Sequence, residues 1–113
     1  MEIDGPAKRL TIYIGETDHY DGKPLYLAIV ERLRAEGLAG ATVLAGTAGF
    51  GANSRIHTAH ILQLSRDLPV VIEVIDREDR LRGGLQAIAA MVRGGLMTIS
   101  DVEVVHYRNT SDP

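Results

Sequence analysis

The chain has 113 residues, enough for one domain around one core, and its formal net charge is −3. That balance gives no general attraction to nucleic acid, so no nucleic-acid partner is expected. Cysteine is absent, which excludes disulfides, thiolate catalysis and cysteine-based zinc sites. No apolar run approaches the roughly 20 residues of a membrane span, and we expect a cytoplasmic protein.

Residues 1–8 are predicted to be a flexible lead-in, residues 9–107 one domain and residues 108–113 a tail. Apolar residues alternate in Arg9–Gly15, as in a half-buried strand. Pro24–Glu36 has helical spacing, with proline at a favoured first position and Gly37 as a stop. The remaining predicted elements are strands Ala41–Ala48 and Leu68–Ile75, a helix capped by Asp76, and an extended region Leu96–Tyr107, either one strand or two divided at Ser100–Asp101. Within the second helix, Gly83–Gly84 would let another backbone approach closely.

The order β-α-β-β-α-β predicts an α+β, ferredoxin-like fold with an antiparallel sheet and both helices on one face. The opposite face would be bare in a single copy. Its predicted residues are Tyr13, Val71, Ile75 and Ile99 or its neighbours. An exposed apolar sheet face usually marks an association surface, so a homo-oligomer is expected.

The second and third strands are separated by a polar segment, Gly49–Asp67, which we call the arm. Hairpin loops usually take about 2–5 residues, and connections beyond about 12–15 are usually functional or disordered. Glycines in the sequence GTAGFG suggest a backbone nest for an anion, formed by Gly46, Gly49, Phe50 and Gly51. A tight strand exit explains the same glycines and is somewhat favoured.

The arm also carries cationic and metal-binding residue types. Arg55 and Arg66 suit bidentate contacts with phosphate or carboxylate. His57 and His60 are three residues apart, as in a metal pair on one helical turn, although two histidines alone do not make a site. A solvated, partly helical loop is the simplest alternative. The residues predicted to meet a partner are Asn53, Ser54, Arg55, His57, His60 and Arg66.

Two further polar clusters lie outside the arm. The loop Glu16–Lys23 contains Glu16, Asp18, His19, Asp21 and Lys23. Paired carboxylates can perform acid–base chemistry, but turns and a helix cap are the favoured explanation here. Arg93-Gly94-Gly95 follows the second helix and suits a phosphate contact, although a plain helix end explains the glycines equally well.

Three segments of the sequence resemble one known family. They are IYIGETDHYDGKPLY, GTAGFGANSRIHTAHILQLSRDLPVVIEVID and TISDVEVV, which span nearly the whole domain. They are similar to the bacterial and archaeal PII-like family called domain of unknown function 190. The resemblance implies a homotrimer with inward-facing sheets, a T-loop corresponding to Gly49–Asp67, and effectors in clefts between subunits. In PII proteins these effectors are commonly adenine nucleotides such as ATP, ADP or AMP.

The leading hypothesis is therefore a signalling protein that binds a small anionic effector. The predicted ligand residues are Gly46, Gly49, Phe50, Gly51, Arg55, Arg93, Gly94 and Gly95. The resemblance implies that the arm then controls a partner, such as a membrane transporter or channel. The alternative is a trimeric metal-binding protein using His57 and His60. An enzyme ranks last, because no base is placed beside a nucleophile.

Overall fold

The protein folds as a four-stranded antiparallel sheet with two helices packed on one face. The structure, a computed structural model, describes residues 1–50 and 67–110. Its elements are β1 (Gly5–Gly15), β2 (His19–Tyr20), β3 (Lys23–Pro24), α1 (Leu25–Ala35), β4 (Thr42–Ala45), β5 (Pro69–Asp76), α2 (Glu78–Ile88), a 3-10 turn (Ala89–Met91) and β6 (Leu96–Val104). The sheet order is β4-β5-β1-β6, and β2 and β3 form a separate small hairpin. The predicted ferredoxin-like fold is confirmed.

The core lies between the sheet and the helices. Alternate residues of β1 and β5 point toward the helices because successive side chains of a strand face opposite ways. The fully buried side chains are Leu10, Ile12, Ile29, Leu33, Ile72, Leu81, Ile88, Val74 and Asp76. Gly84 allows α2 to meet α1, since a Cβ there would lie 2.8 Å from Leu38 Cδ2 and 3.1 Å from Leu33 Cδ2. The close approach predicted at Gly83–Gly84 is therefore made by side chains, not by another backbone.

The other face of the sheet carries exposed apolar side chains. Tyr13, Leu44, Ile75 and Leu96 are 43%, 53%, 37% and 56% exposed. Ile99 is not among them, because it pairs with Leu10 and packs against the core. Its neighbours Thr98 and Ser100 take the outer face instead, opposite Thr11 and Arg9. We call this surface, centred on Tyr13, the open face.

Several predicted boundaries differ from the observed ones. β6 is one continuous strand from Leu96 to Val104, with no division at Ser100–Asp101. Asp76 does not cap α2, because it is the last residue of β5 and Arg77 precedes the helix. The buried Asp76 carboxylate instead accepts the backbone N–H groups of Ala39 (2.8 Å) and Arg77 (2.7 Å), so it joins β5 to the connection between α1 and β4.

The N-terminal residues lie beside residues 104–108. β1 begins at Gly5, not at the predicted Arg9, and pairs with β6 down to Val104. Arg108 forms ion pairs with Asp4 (3.0 Å) and Glu2 (3.2 Å). Lys8 pairs with Asp101, and its hydrogen bond holds the pKa of that carboxyl below its ordinary value. Half of the predicted lead-in is therefore sheet. Neither helix in the described ranges has the length and apolarity needed to cross a bilayer.

Tyr107 supplies a testable contact between the C-terminal segment and the rest of the domain. Its hydroxyl donates a hydrogen bond of 2.9 Å to the Ala39 carbonyl. Because one part-buried hydrogen bond contributes about 1 kcal/mol net, we expect Tyr107→Phe to lower the free energy of unfolding by about that amount. Urea denaturation measures it. Tyr20→Phe is the control, since the Tyr20 hydroxyl makes no hydrogen bond within the described residues, and an equal loss in both variants would contradict the assignment.

Candidate functional site

Both roots of the arm and the Arg93–Gly95 turn lie at one end of the sheet. The register pairs Ala45 with Val70, Gly15 with Pro69, and Tyr13 with Leu96. The arm leaves from β4 and returns into β5, while the turn leads into β6. The two predicted anion sites, the first root of the arm and the Arg93–Gly95 turn, therefore lie beside the two outer strands, β4 and β6. Three strand spacings of about 4.8 Å separate these strands by about 14 Å within one chain.

The first root of the arm packs on Pro69. The Gly46 N–H donates to the Pro69 carbonyl at 2.7 Å, so the chain itself already uses this donor. A Cβ at Gly46 would lie 2.6 Å from Pro69 Cγ, which explains the glycine by packing. This geometry is the tight strand exit, and Gly46 has no N–H left for an anion. Phe50 is 76% exposed, and its role as a ligand contact stays a prediction.

The second root of the arm is held by the loop after β1. Thr17 Oγ1 donates to Asp67 Oδ1 at 2.9 Å, and the Glu16 N–H donates to the Leu68 carbonyl at 2.9 Å. The predicted residues Gly51, Asn53, Ser54, Arg55, His57, His60 and Arg66 lie outside the described residues. The two candidate metal ligands are among them. Within the described ranges, no three His, Asp or Glu side chains are placed to hold a metal.

The Arg93–Gly95 turn depends on glycine at its last position. Gly95 has φ +129°, and a Cβ there would lie 2.5 Å from the Tyr13 carbonyl oxygen. L side chains rarely adopt that conformation, and the contact is with backbone, which cannot move aside. The turn therefore lies tightly against the end of β1, with Arg93 exposed beside it. Arg93 makes no ion pair with any described residue.

Arg93 and Gly94 form one wall of a pocket of about 560 Å³. The other wall is the β2–β3 hairpin, which turns through Asp21 and Gly22 at φ 52° and 80°. The hairpin was missed from the sequence, although Asp-Gly between short extended pairs is a strong signal for such a turn. The pocket is lined by Asp18, His19, Tyr20, Asp21, Leu25, Met91, Arg93 and Gly94.

Most polar groups of the Glu16–Lys23 loop are used in local structure. Asp18 Oδ2 accepts the Gly15 N–H at 2.9 Å, and the Asp18 carbonyl accepts the Leu25 N–H at 2.8 Å. His19 Nδ1 lies 2.6 Å from the Thr17 carbonyl, and Lys23 pairs with Glu31 at 3.0 Å. These contacts agree with the interpretation of the loop as turns. They differ from the expected cap, because no side chain caps α1.

Comparison with known proteins gives the family. The model of DUF190, described as "Uncharacterized ACR", matches residues 7–104. This chain belongs to the DUF190 family. A UPF0166 protein of Aquifex aeolicus is 39% identical over 99 residues, which cover 88% of this chain and 93% of that protein. Another UPF0166 protein, from Methanocaldococcus jannaschii, is 36% identical over 99 residues, covering 87% and 91%.

Solved structures similar to this DUF190 chain are PII-like. CPII from Thiomonas intermedia K12, solved with ADP, AMP and acetate, aligns with a TM-score of 0.64 at 17% identity, covering 88% of this chain and 89% of that one. A protein described as PII-like from Thermus thermophilus aligns with a TM-score of 0.62 at 20% identity, covering 91% and 94%. The family resemblance stated from the sequence is confirmed, and this DUF190 protein has the PII-like fold.

Proposed function

We propose that this protein is a PII-like regulator that binds a small anionic effector, an adenine nucleotide, at the junctions of a homotrimer. The observation that carries the proposal is the common position of the arm roots and the Arg93–Gly95 turn at one end of the sheet. The ADP and AMP bound to CPII, which shares this fold, support an adenine nucleotide as the effector class.

Assembly would bring the two predicted anion sites together. The arm leaves from outer strand β4 and the turn precedes outer strand β6, so they face opposite neighbours. In a closed ring, a head-to-tail contact repeats around one rotation axis and keeps equivalent ends on the same side. Contact between the β4 edge of one copy and the β6 edge of the next would then place an arm root beside the Arg93 of its neighbour. The exposed apolar side chains of the open face also support association, because they would be covered if the sheets of the trimer faced inward.

The arm is the part proposed to communicate with a partner protein. Its sequence is polar and includes two arginines and two histidines, and its ends begin at the proposed effector site. An effector that binds one conformation of the arm better than another would shift the population toward it. A membrane transporter or channel is the proposed class of partner, and the role is regulatory, not catalytic.

A ligand titration tests this proposal directly. ATP, ADP, AMP, pyrophosphate and acetate are added to the purified protein, and the unfolding temperature is followed. A ligand at 100 times its dissociation constant should stabilise the protein by about 2.7 kcal/mol. We expect stabilisation by at least one adenine nucleotide, and a smaller one in Arg93→Gln. The matched control is Arg82→Gln, because Arg82 lies on α2 and pairs with Glu78. A protein that responds to no nucleotide would rule the proposal out.

A further inference from the structure

We infer that the pocket between the β2–β3 hairpin and Arg93–Gly94 holds the nucleoside part of the effector within a single chain, with the phosphate at Arg93. This inference rests on the proposed function and adds to it. It assigns the base and ribose contacts to the hairpin and the residues beside it. The site would therefore be formed largely by one copy, and the neighbouring copy would only close it.

The bottom of the pocket suits a planar base. Leu25 and Met91, which are 3% and 9% exposed, line it with apolar atoms. Tyr20 lines the same pocket from the hairpin and is 41% exposed, so its ring is accessible to a ligand. Bases stack on aromatic side chains with little dependence on sequence, because every base has a π face. A purine between Tyr20 and these two apolar side chains would be desolvated on both faces.

The charged groups of the pocket come from two separate segments of the chain. Asp18, just before β2, and Asp21, in the hairpin turn, line it together with Arg93 from the turn before β6. Asp18 Oδ2 is occupied by the Gly15 N–H, whereas Oδ1 makes no hydrogen bond to a described residue and can accept one from a ribose hydroxyl. The Arg93 guanidinium, which forms no ion pair with a described residue, is suited to a phosphate, which it can bind through two N–H groups.

Each simpler ligand leaves part of this lining unexplained. Free phosphate or another small anion would leave the apolar floor, Tyr20 and the two carboxylates without contacts. An uncharged apolar ligand would not need Arg93. A nucleoside phosphate matches the apolar, hydroxyl-accepting and cationic parts at once. The volume of about 560 Å³ lies within the roughly 300–1,000 Å³ usual for small-molecule sites.

Calorimetric titration of four proteins with three ligands tests the assignment. The proteins are wild type, Tyr20→Ala, Tyr20→Phe and Arg93→Gln, and the ligands are ADP, adenosine and pyrophosphate. We expect Tyr20→Ala to weaken ADP binding about tenfold or more and to leave pyrophosphate binding unchanged. Tyr20→Phe keeps the ring and should bind ADP as wild type does. Arg93→Gln should weaken ADP and pyrophosphate and spare adenosine. Circular dichroism and sedimentation confirm that each variant keeps its fold and assembly.

The outcomes distinguish this inference from the proposed function. If wild type binds ADP and Tyr20→Ala binds it equally well, the nucleoside lies elsewhere and the inference is wrong, while the proposed function survives. If Tyr20→Ala weakens pyrophosphate as much as ADP, the hairpin acts only on the shape of the turn, which also overturns the assignment. If wild type binds no nucleotide, the proposed function itself has failed.

Discussion

Replacing Gly95 by alanine is expected to lower the free energy of unfolding by about 3 kcal/mol, combining a strained backbone with an overpacked contact. The residue has φ +129°, and the added Cβ would lie 2.5 Å from the Tyr13 carbonyl oxygen. That oxygen belongs to central strand β1, so relief requires the turn to move away from the sheet. The variant should therefore lose stability and shift Arg93, two residues earlier. Urea denaturation at fixed protein concentration measures the loss.

Gly83→Ala is the matched control for Gly95→Ala. Gly83 lies within α2, and a Cβ there would meet nothing within 4 Å. Since glycine costs about 1 kcal/mol relative to alanine inside a helix, this variant should be more stable than wild type by up to about that amount. The same replacement of glycine by alanine should thus lower the free energy of unfolding at position 95 and raise it at position 83. Equal effects of the two substitutions would show that the Gly95 contact does not determine the stability of the turn.

Leu44→Asp is expected to break the proposed trimer, raising its dissociation constant by at least about 100-fold. Leu44 is 53% exposed on the open face, next to Val71 on the neighbouring strand. In a single chain a carboxylate there remains in water and costs little. Against a second sheet it would be buried without a partner, which is strongly unfavourable. Analytical ultracentrifugation across a concentration series measures the change.

The control for assembly is Leu27→Asp. Leu27 is 42% exposed on α1, on the helical side of the sheet, so it has a comparable exposure away from the open face. This variant should sediment as wild type does. Dissociation by Leu27→Asp but not by Leu44→Asp would place the contact between copies on the helices and contradict the proposed trimer. A wild type that sediments as a monomer at micromolar concentration would contradict it as well.

The sheet and helices could be predicted because their signals are periodic and local. Leu10, Ile12 and Ile14 alternate along β1 and are all buried, as expected for the strand face that packs against the helices. Ends of elements were predicted less well, because they depend on contacts between distant residues. Gly5 starts β1 because Val104 pairs with it, and the Asp76 carboxylate accepts the N–H of Ala39, which lies 37 residues away in the sequence. Neither contact can be predicted from the residues next to Gly5 or Asp76 in the sequence.

The candidate site was predicted in its parts but not in its arrangement. Arg93 and the glycines beside it were chosen for an anion, and the structure adds the hairpin across from them. That juxtaposition depends on how the loop after β1 folds back onto the start of α1, through the Asp18 carbonyl and the Leu25 N–H. The role of Gly46 was open between a nest and a strand exit, because both need glycine. Only the position of Pro69 distinguishes them.

The way in which the arm is anchored has a consequence for how such proteins diversify. Its two ends are fixed by Gly46 on Pro69 and by Thr17 on Asp67, and all four residues lie outside 51–66. The sequence between them can therefore be exchanged while the four anchoring residues are kept, and by the general scaling of closure entropy a doubled loop length costs only about 0.6 kcal/mol. If the arm selects the partner as proposed, grafting residues 51–66 from a relative should transfer the choice of partner while the recipient keeps its own fold, and recognition would then evolve separately from the fold.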